Sequence, residues 1–365
     1  MKKENKESSE KNKLSFLAKH APINLVNKLF FTQQLEVMVR TGFPLARALG
    51  IIEIQMEHKR FKQIIEDMKK NVEKGSPLSK AASEYPKVFS ETYISMIAAG
   101  EASGKLDEAL KRLTIQLKKS HEIRTKIKNA LTYPAIVLIA MVAIGIAMLI
   151  FVLPKITSIY AESGAKLPLP TRIMIGTTDF IITNGIYLTV AIIILLVLLA
   201  RFLKTNRGKR VFHKILLKLP IVSPIIKKIN LANFSRSLSS LLQTDIPIVE
   251  TFQIISRTSS NIYYKEYLAN AAEELKKGVS VKDTLEKDRQ LFPPLITQIV
   301  NIGEESGTLD TISEEIANFY EEEVSQTMGN LATIIEPVLM LVLGAAVGAV
   351  AVAVVMPIYS LVNAI

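Results

Sequence analysis

Three long apolar blocks constrain this chain more than any short motif does: PAIVLIAMVAIGIAMLIFVL at 134–153, IYLTVAIIILLVLLARFL at 186–203 and PVLMLVLGAAVGAVAVAVVM at 337–356. Each has about the length a helix needs to cross the roughly 30 Å hydrocarbon layer at about 1.5 Å per residue. A buried core helix is usually shorter and more interrupted, so three transmembrane helices are predicted. The mean hydropathy of +0.27, in a chain with 22% charged residues, fits apolar residues gathered into blocks rather than dispersed.

Basic residues flanking the blocks set the expected orientation. Lys118, Lys119, Arg124, Lys126 and Lys128 precede the first block, and Arg201, Lys204, Arg207, Lys209, Arg210, Lys214 and Lys218 follow the second. Between them stand only Lys155, Lys166 and Arg172, partly offset by Glu162 and Asp179. Both polar segments are therefore expected on the cytoplasmic side. By alternation the third span carries the C-terminus outside, since Glu321, Glu322 and Glu323 precede it without a basic anchor. The opening MKKENKESSEKNKLSF is charged and lacks the apolar core of a secretory signal, so it reads as a disordered cytoplasmic tail.

The net charge of +11 has its account in these clusters, because each Lys or Arg near anionic headgroups contributes on the order of 1 kcal/mol. Membrane lipid is thus one expected partner. Nucleic acid is not, since neither exposed aromatics among the basic residues nor a recognition helix is evident. Cysteine is absent, and His20, His58, His121 and His213 show no ligand spacing, so no metal site is expected.

The chain repeats itself at a single ungapped offset of 203 residues. FTQQLEVMVRTGFPLARAL from Phe31 matches FSRSLSSLLQTDIPIVETF from Phe234. Further along, Gly75 meets Gly278, Phe89 meets Phe292, Pro134 meets Pro337, Gly145 meets Gly348 and Pro154 meets Pro357. Phe31, Leu35, Met38 and Gly42 fall on one helical face, as do Phe234, Leu238, Leu241 and Asp245. Pro44 and Pro247 sit where the next helix can begin. Strand-like alternation is lacking, and each copy is predicted to be a bundle of about six helices whose last helix runs on into its span.

The most specific repeated string is G-E-x-S-G-x-L-D: Gly100, Glu101, Ser103, Gly104, Leu106 and Asp107 recur as Gly303, Glu304, Ser306, Gly307, Leu309 and Asp310. At first sight the first copy suggests a phosphate loop, but only three residues separate its glycines, Leu106 follows Lys105, and Thr308 replaces that lysine in the second copy. A tight turn between helices explains the string better. Glycine ends one helix, serine caps the next and an early aspartate suits the positive end of its dipole. The two glutamates either cap backbone N–H groups or stand exposed for a partner.

With these strings and TGFP, LTYP, LPIVSPI and the terminal IEPVLMLVLGAAVGAVAVAVVMPIYSL, residues 25–363 resemble the inner-membrane platform proteins of type II secretion and type IV pilus assembly, the GspF/PilC family. The resemblance implies an all-α membrane protein with two homologous cytoplasmic helical bundles and three transmembrane helices, without catalytic activity or cofactor. It implies a platform that couples a cytoplasmic hexameric assembly ATPase to pilin or pseudopilin subunits, beside other inner-membrane assembly proteins, and that self-associates as a homo-oligomer. The expected layout is a tail at 1–23, bundle 1 at 24–132, spans at 133–153, 183–203 and 334–357, an external loop at 154–182, bundle 2 at 204–333 and an external end at 358–365. TDIP departs from the pattern, with Asp245 where Gly42 stands in the first copy. If the position needs positive φ, aspartate tolerates it better than most residues.

The alternative, a small transporter, would show more spans and ionisable groups near the bilayer midplane. Only Glu336, beside Pro337, approaches that description. At a span's edge its carboxylate either sits at headgroup level, as its counterpart Tyr133 would, or accepts from a partner's polar group.

Overall fold

The computed structural model describes residues 22–148, 151, 176, 180, 183–220 and 222–362. The tail reading for residues 1–21, nearly all of the 154–182 loop and residues 363–365 lie outside the described residues. Every regular element described is a helix, and no strand occurs among the described residues.

Six helices form the first copy: α1 (Leu25–Arg40), α2 (Leu45–Gln55), α3 (Lys59–Glu73), α4 (Leu78–Ser83), α5 (Glu91–Ser103) and α6 (Leu106–Ala147). Then come α7 (Gly185–Lys204) and α8 (Asn206–Lys218). The second copy repeats the six as α9 (Val222–Leu242), α10 (Ile248–Thr258), α11 (Ile262–Leu275), α12 (Val281–Glu286), α13 (Pro294–Ser306) and α14 (Leu309–Val362). Each of α10–α14 starts at the repeat offset from its partner, because the same punctuation recurs. Pro44 and Pro247 precede α2 and α10 with φ −56° each, and Gly75 and Gly278 follow α3 and α11 at φ 87° and 83°.

Asp245 takes φ 60° where its counterpart Gly42 takes 80°, the one non-glycine residue with positive φ among those described. A Cβ there crowds the following carbonyl, at about 1–2 kcal/mol for ordinary residues and less for aspartate. Asp245→Ala is therefore expected to cost about 1 kcal/mol and Asp245→Val more, while Asp245→Gly is neutral or slightly stabilising. Thermal unfolding of the detergent-solubilised chain checks the order.

Each bundle closes over an aromatic cluster. In the first, Phe31, Phe61 and Phe89 lie 5.5–6.2 Å apart and Phe89 meets Tyr93 at 4.9 Å. In the second, Phe234 meets Phe252 at 5.8 Å and Phe292 at 5.1 Å, and Tyr264 meets Phe292 at 5.6 Å. Tyr264 replaces Phe61, and its hydroxyl donates to the Leu291 carbonyl at 2.9 Å. The ring that Tyr93 supplies on α5 has no equivalent on α13, where Ile296 stands; Phe252 on α10 supplies one where the first bundle has Leu49. Large and small side chains have traded places while the core stays filled, the kind of change a close-packed interior accepts. Burial pushes the Tyr93 and Tyr264 phenols up, so both stay protonated as hydrogen-bonding groups.

Among the described residues, those up to 124 and those within 213–324 form one compact unit, holding both bundles; those within 125–212 and from 325 on form a second. In the second unit the helices are long and apolar enough to cross a membrane, as is α7, and their side chains point outward: Ile139, Leu195 and Leu341 are all more than 60% exposed. Such surfaces suit lipid rather than water. α6 and α14 each run from a bundle into an apolar span without a break, Pro134 and Pro337 included. Each proline leaves the carbonyl four residues earlier, Ala130 or Thr333, without its intrahelical donor.

Candidate functional site

The repeated turns join α5 to α6 and α13 to α14. In each, the backbone closes the first helix in a Schellman arrangement: Gly104 N donates to Glu101 O at 3.3 Å and Lys105 N to Gly100 O at 2.9 Å, while Gly307 N and Thr308 N repeat this onto Glu304 O and Gly303 O at 3.4 and 2.9 Å. Gly104 and Gly307 supply the left-handed residue at φ 72° and 69°. The N–H groups that a phosphate loop would aim at an anion are spent on this closure, which is why the string is a turn and not a nucleotide cradle.

The serines act in the opposite sense from the cap expected. Ser103 and Ser306 are the last residues of α5 and α13, and their hydroxyls donate back to the Ala99 and Ile302 carbonyls at 2.8 and 2.7 Å. The left-handed glycine follows each serine, so the helix boundary lies one residue later than a capping serine requires, and Oγ finds an orphan carbonyl instead. Leu106 and Leu309 open the second helices, and Asp107 and Asp310 lie in their first turns near the positive dipole ends.

Gly100 and Gly303 are buried where the two helices approach. A Cβ on Gly100 would lie 2.6 Å from Ala109 Cβ; one on Gly303 would lie 3.0 Å from Ile312 Cβ and 3.1 Å from Leu309 Cα.

The glutamates reach across to a third helix. Glu101 accepts from Leu78 N at 2.5 Å, from Ser79 N at 3.1 Å and from Ser79 Oγ at 2.5 Å. Glu304 accepts from Val281 N and Lys282 N at 2.7 and 3.1 Å. Each carboxylate thus caps the first N–H groups of a six-residue helix, α4 or α12, from the end of α5 or α13. The copies differ in what else caps that helix. Pro77 offers α4 no side-chain cap, whereas the Ser280 hydroxyl accepts from Asp283 N at 3.0 Å on α12. Ser280 and the Lys282 ammonium also hold the Asp283 carboxyl below its ordinary range.

Glu101→Gln is accordingly expected to cost about 1–2 kcal/mol and Glu304→Gln about 0.5–1. An amide would point its NH2 at one of the donors, and only α12 keeps a second cap. Unfolding and partner association should be measured on the same variants. Unchanged unfolding with lost association would make the doubled turn a docking surface.

Glu336 and Pro337 are adjacent in α14, both exposed; Tyr133 is 52% exposed and Pro134 is buried. Among the described residues no three His, Asp or Glu side chains converge in a group that could hold a metal ion.

A polar seam between the bundles has no counterpart in the motifs read from the sequence. Arg236 on α9, 6% exposed, donates from Nε and Nη2 to the two Glu321 oxygens at 2.8 and 3.0 Å and from Nη2 to Asn318 Oδ1 at 2.6 Å. From the first bundle, Lys119 Nζ lies 3.4 Å from Glu321 Oε2, Gln116 Nε2 donates to Ser237 Oγ at 3.3 Å, and Arg112 donates to Gln243, which donates on to Glu314 at 3.0 Å. Nearer α10, Arg257 pairs with Glu91 at 2.6 Å and Thr92 donates to Thr258 at 3.3 Å. One signal for the seam did exist: charge inverts between the copies at Arg112/Glu315, Lys118/Glu321 and Lys119/Glu322.

The chain matches the family described as type II secretion system (T2SS), protein F, twice, over residues 31–154 and 234–357. It is 34% identical over 333 residues to the type IV pilus assembly protein PilC of Thermus thermophilus, covering 91% of this chain and 82% of that protein. It is 31% identical over 337 residues to PilC of Myxococcus xanthus, covering 92% and 81%. Identity to the type II secretion system protein F of Vibrio cholerae is 31% over 333 residues, covering 91% and 82%.

Proposed function

The chain belongs to the type II secretion system protein F family, and from that membership we propose that it is the membrane platform of a type IV pilus or type II secretion assembly machine, coupling a cytoplasmic assembly ATPase to the polymerisation of pilin or pseudopilin subunits. The doubled family match carries the reading. Two bundles give a soluble motor broad surfaces to hold, and three apolar helices give membrane-borne subunits a surface inside the bilayer. Because α6 and α14 continue from bundle to span, a push on a bundle reaches the membrane along a continuous helix that lacks only the one backbone hydrogen bond lost at Pro134 or Pro337. The role is structural rather than catalytic.

In this reading the bundles lie in the cytoplasm and the C-terminus outside. A reporter active only outside the cytoplasm will be active when fused at 163 or after 365 and silent at 209. The functional test is co-purification of the full chain with a hexameric ATPase from native membranes, together with loss of filament assembly when the chain is deleted. Activity at 209, or assembly that survives deletion, would overturn the proposal.

A further inference from the structure

The seam between the bundles joins unlike surfaces. Bundle 1 contributes α5 and α6; bundle 2 contributes α9, α10 and α14. If a local two-fold axis related the bundles, each seam contact would recur with the copies exchanged. It does not: Leu295 and Ile54, the counterparts of Thr92 and Arg257, stand 48% and 77% exposed. The association is head-to-tail, and it leaves one surface of each kind open: the α13–α14 surface of bundle 2 and the α1–α2 surface of bundle 1.

Carrying each seam pair across the repeat offset shows what those open surfaces hold. Arg112 with Gln243 becomes Glu315 with Arg40, and Lys119 with Glu321 becomes Glu322 with Lys118. In the second of these both signs have inverted, so attraction is kept; in the first a hydrogen bond has become an opposite-charge pair. The Glu91–Arg257 ion pair becomes Pro294 with Ile54, so both partners have turned apolar together, and Gln116 with Ser237 becomes Phe319 with Gln34. Phe319 is 48% exposed, and Glu315, Arg40, Lys118 and Pro294 are exposed as well. Two of the five carried pairs thus keep an attraction of charge and a third is apolar on both sides, while Phe319 with Gln34 and Leu295 with Gln55 are not matched; the charge pairs carry the argument.

We propose that the α13–α14 surface of bundle 2 docks on the α1–α2 surface of bundle 1 in a second copy of this chain, reproducing between chains the seam that joins the bundles within one. Both α6 and α14 run from bundle to span in the same chain direction, so successive bundles share a membrane side and no copy need invert. A heterologous contact of this kind propagates, closing into a ring or continuing as an open array. The inference rests on the duplication alone, so its failure would leave the platform reading untouched.

The absence of native cysteine allows a clean test on the full-length chain in detergent or nanodiscs. Chains carrying Arg40→Cys and chains carrying Glu315→Cys, mixed and treated with a short bismaleimide, are expected to cross-link to each other, and neither variant to itself. The double variant Arg112→Cys/Gln243→Cys, which should react within one chain, verifies that the seam is folded. Independently, Arg40→Glu and Glu315→Arg should each weaken self-association about tenfold or more, and the two combined in one chain should restore it. Self-only cross-links, no cross-link while the intrachain control reacts, or charge reversals without effect would overturn the proposal.

Discussion

Arg236→Met is expected to destabilise the chain by about 3–5 kcal/mol, the range for removing one partner of a buried ion pair. The guanidinium is 6% exposed and grips Glu321, itself 8% exposed, with two parallel hydrogen bonds. Without it, Glu321 keeps the more exposed Lys119 ammonium at 3.4 Å, which places the effect toward the lower end. Asn318 and Glu314 lose contacts too. Arg236→Met combined with Glu321→Leu should recover much of the loss, because no charge is then left uncompensated in the interior. Arg236→Lys should fall between, since a point charge cannot make the fork. Denaturant unfolding of the solubilised chain measures all three. A single variant as stable as the parent would mean the pair is solvated.

Gly100→Ala is expected to cost about 1–3 kcal/mol from overpacking, reduced by up to about 1 kcal/mol through alanine's better helix propensity. The new Cβ would stand 2.6 Å from Ala109 Cβ and 3.2 Å from the Leu106 Cα, so α6 must move away from α5. At Gly303 the nearest atom is 3.0 Å away, and the same change should cost less. Gly329→Ala, in α14 with no atom within 4 Å, should be neutral or stabilising, because only the propensity gain remains. Thermal unfolding of the three variants ranks them. Equal effects at 100 and 329 would mean that the α5–α6 approach is loose.

The helices were legible because their signals are local and doubled: a proline before α2 and α10, a glycine after α3 and α11, and the same face spacing from Phe31 and Phe234. Asp245 was legible for the same reason, since the other copy supplied the glycine that its backbone needs. The serine of the repeated turn was misread because a hydroxyl can donate to the helix behind it or accept from the one ahead, and a single residue decides which. The carboxylates offered capping as one choice, but their target is a helix 22 or 23 residues back in the chain, which no turn motif encodes. The seam lay out of reach because its partners are distant in the chain, Gln116 from Ser237 by 121 residues and Arg112 from Gln243 by 131. Only a comparison of the copies, charge against charge, would have pointed to it.

The division of the chain also fixes a timetable for its synthesis. Bundle 1 is complete at about residue 124, but the bundle it packs against is complete only at residue 324, after two apolar helices have been delivered to the bilayer. At about 5–20 residues per second that interval is roughly 10–40 s. Throughout it the nascent chain presents Arg112, Gln116 and Lys119 to water, and the open α1–α2 surface of a finished neighbour does not suit them, because it sets Arg40 and Lys118 where the second bundle has Gln243 and Glu321. The first half must therefore stand alone on the ribosome until its duplicate arrives, and it is soluble enough to wait because its half of the seam is basic and polar rather than oily.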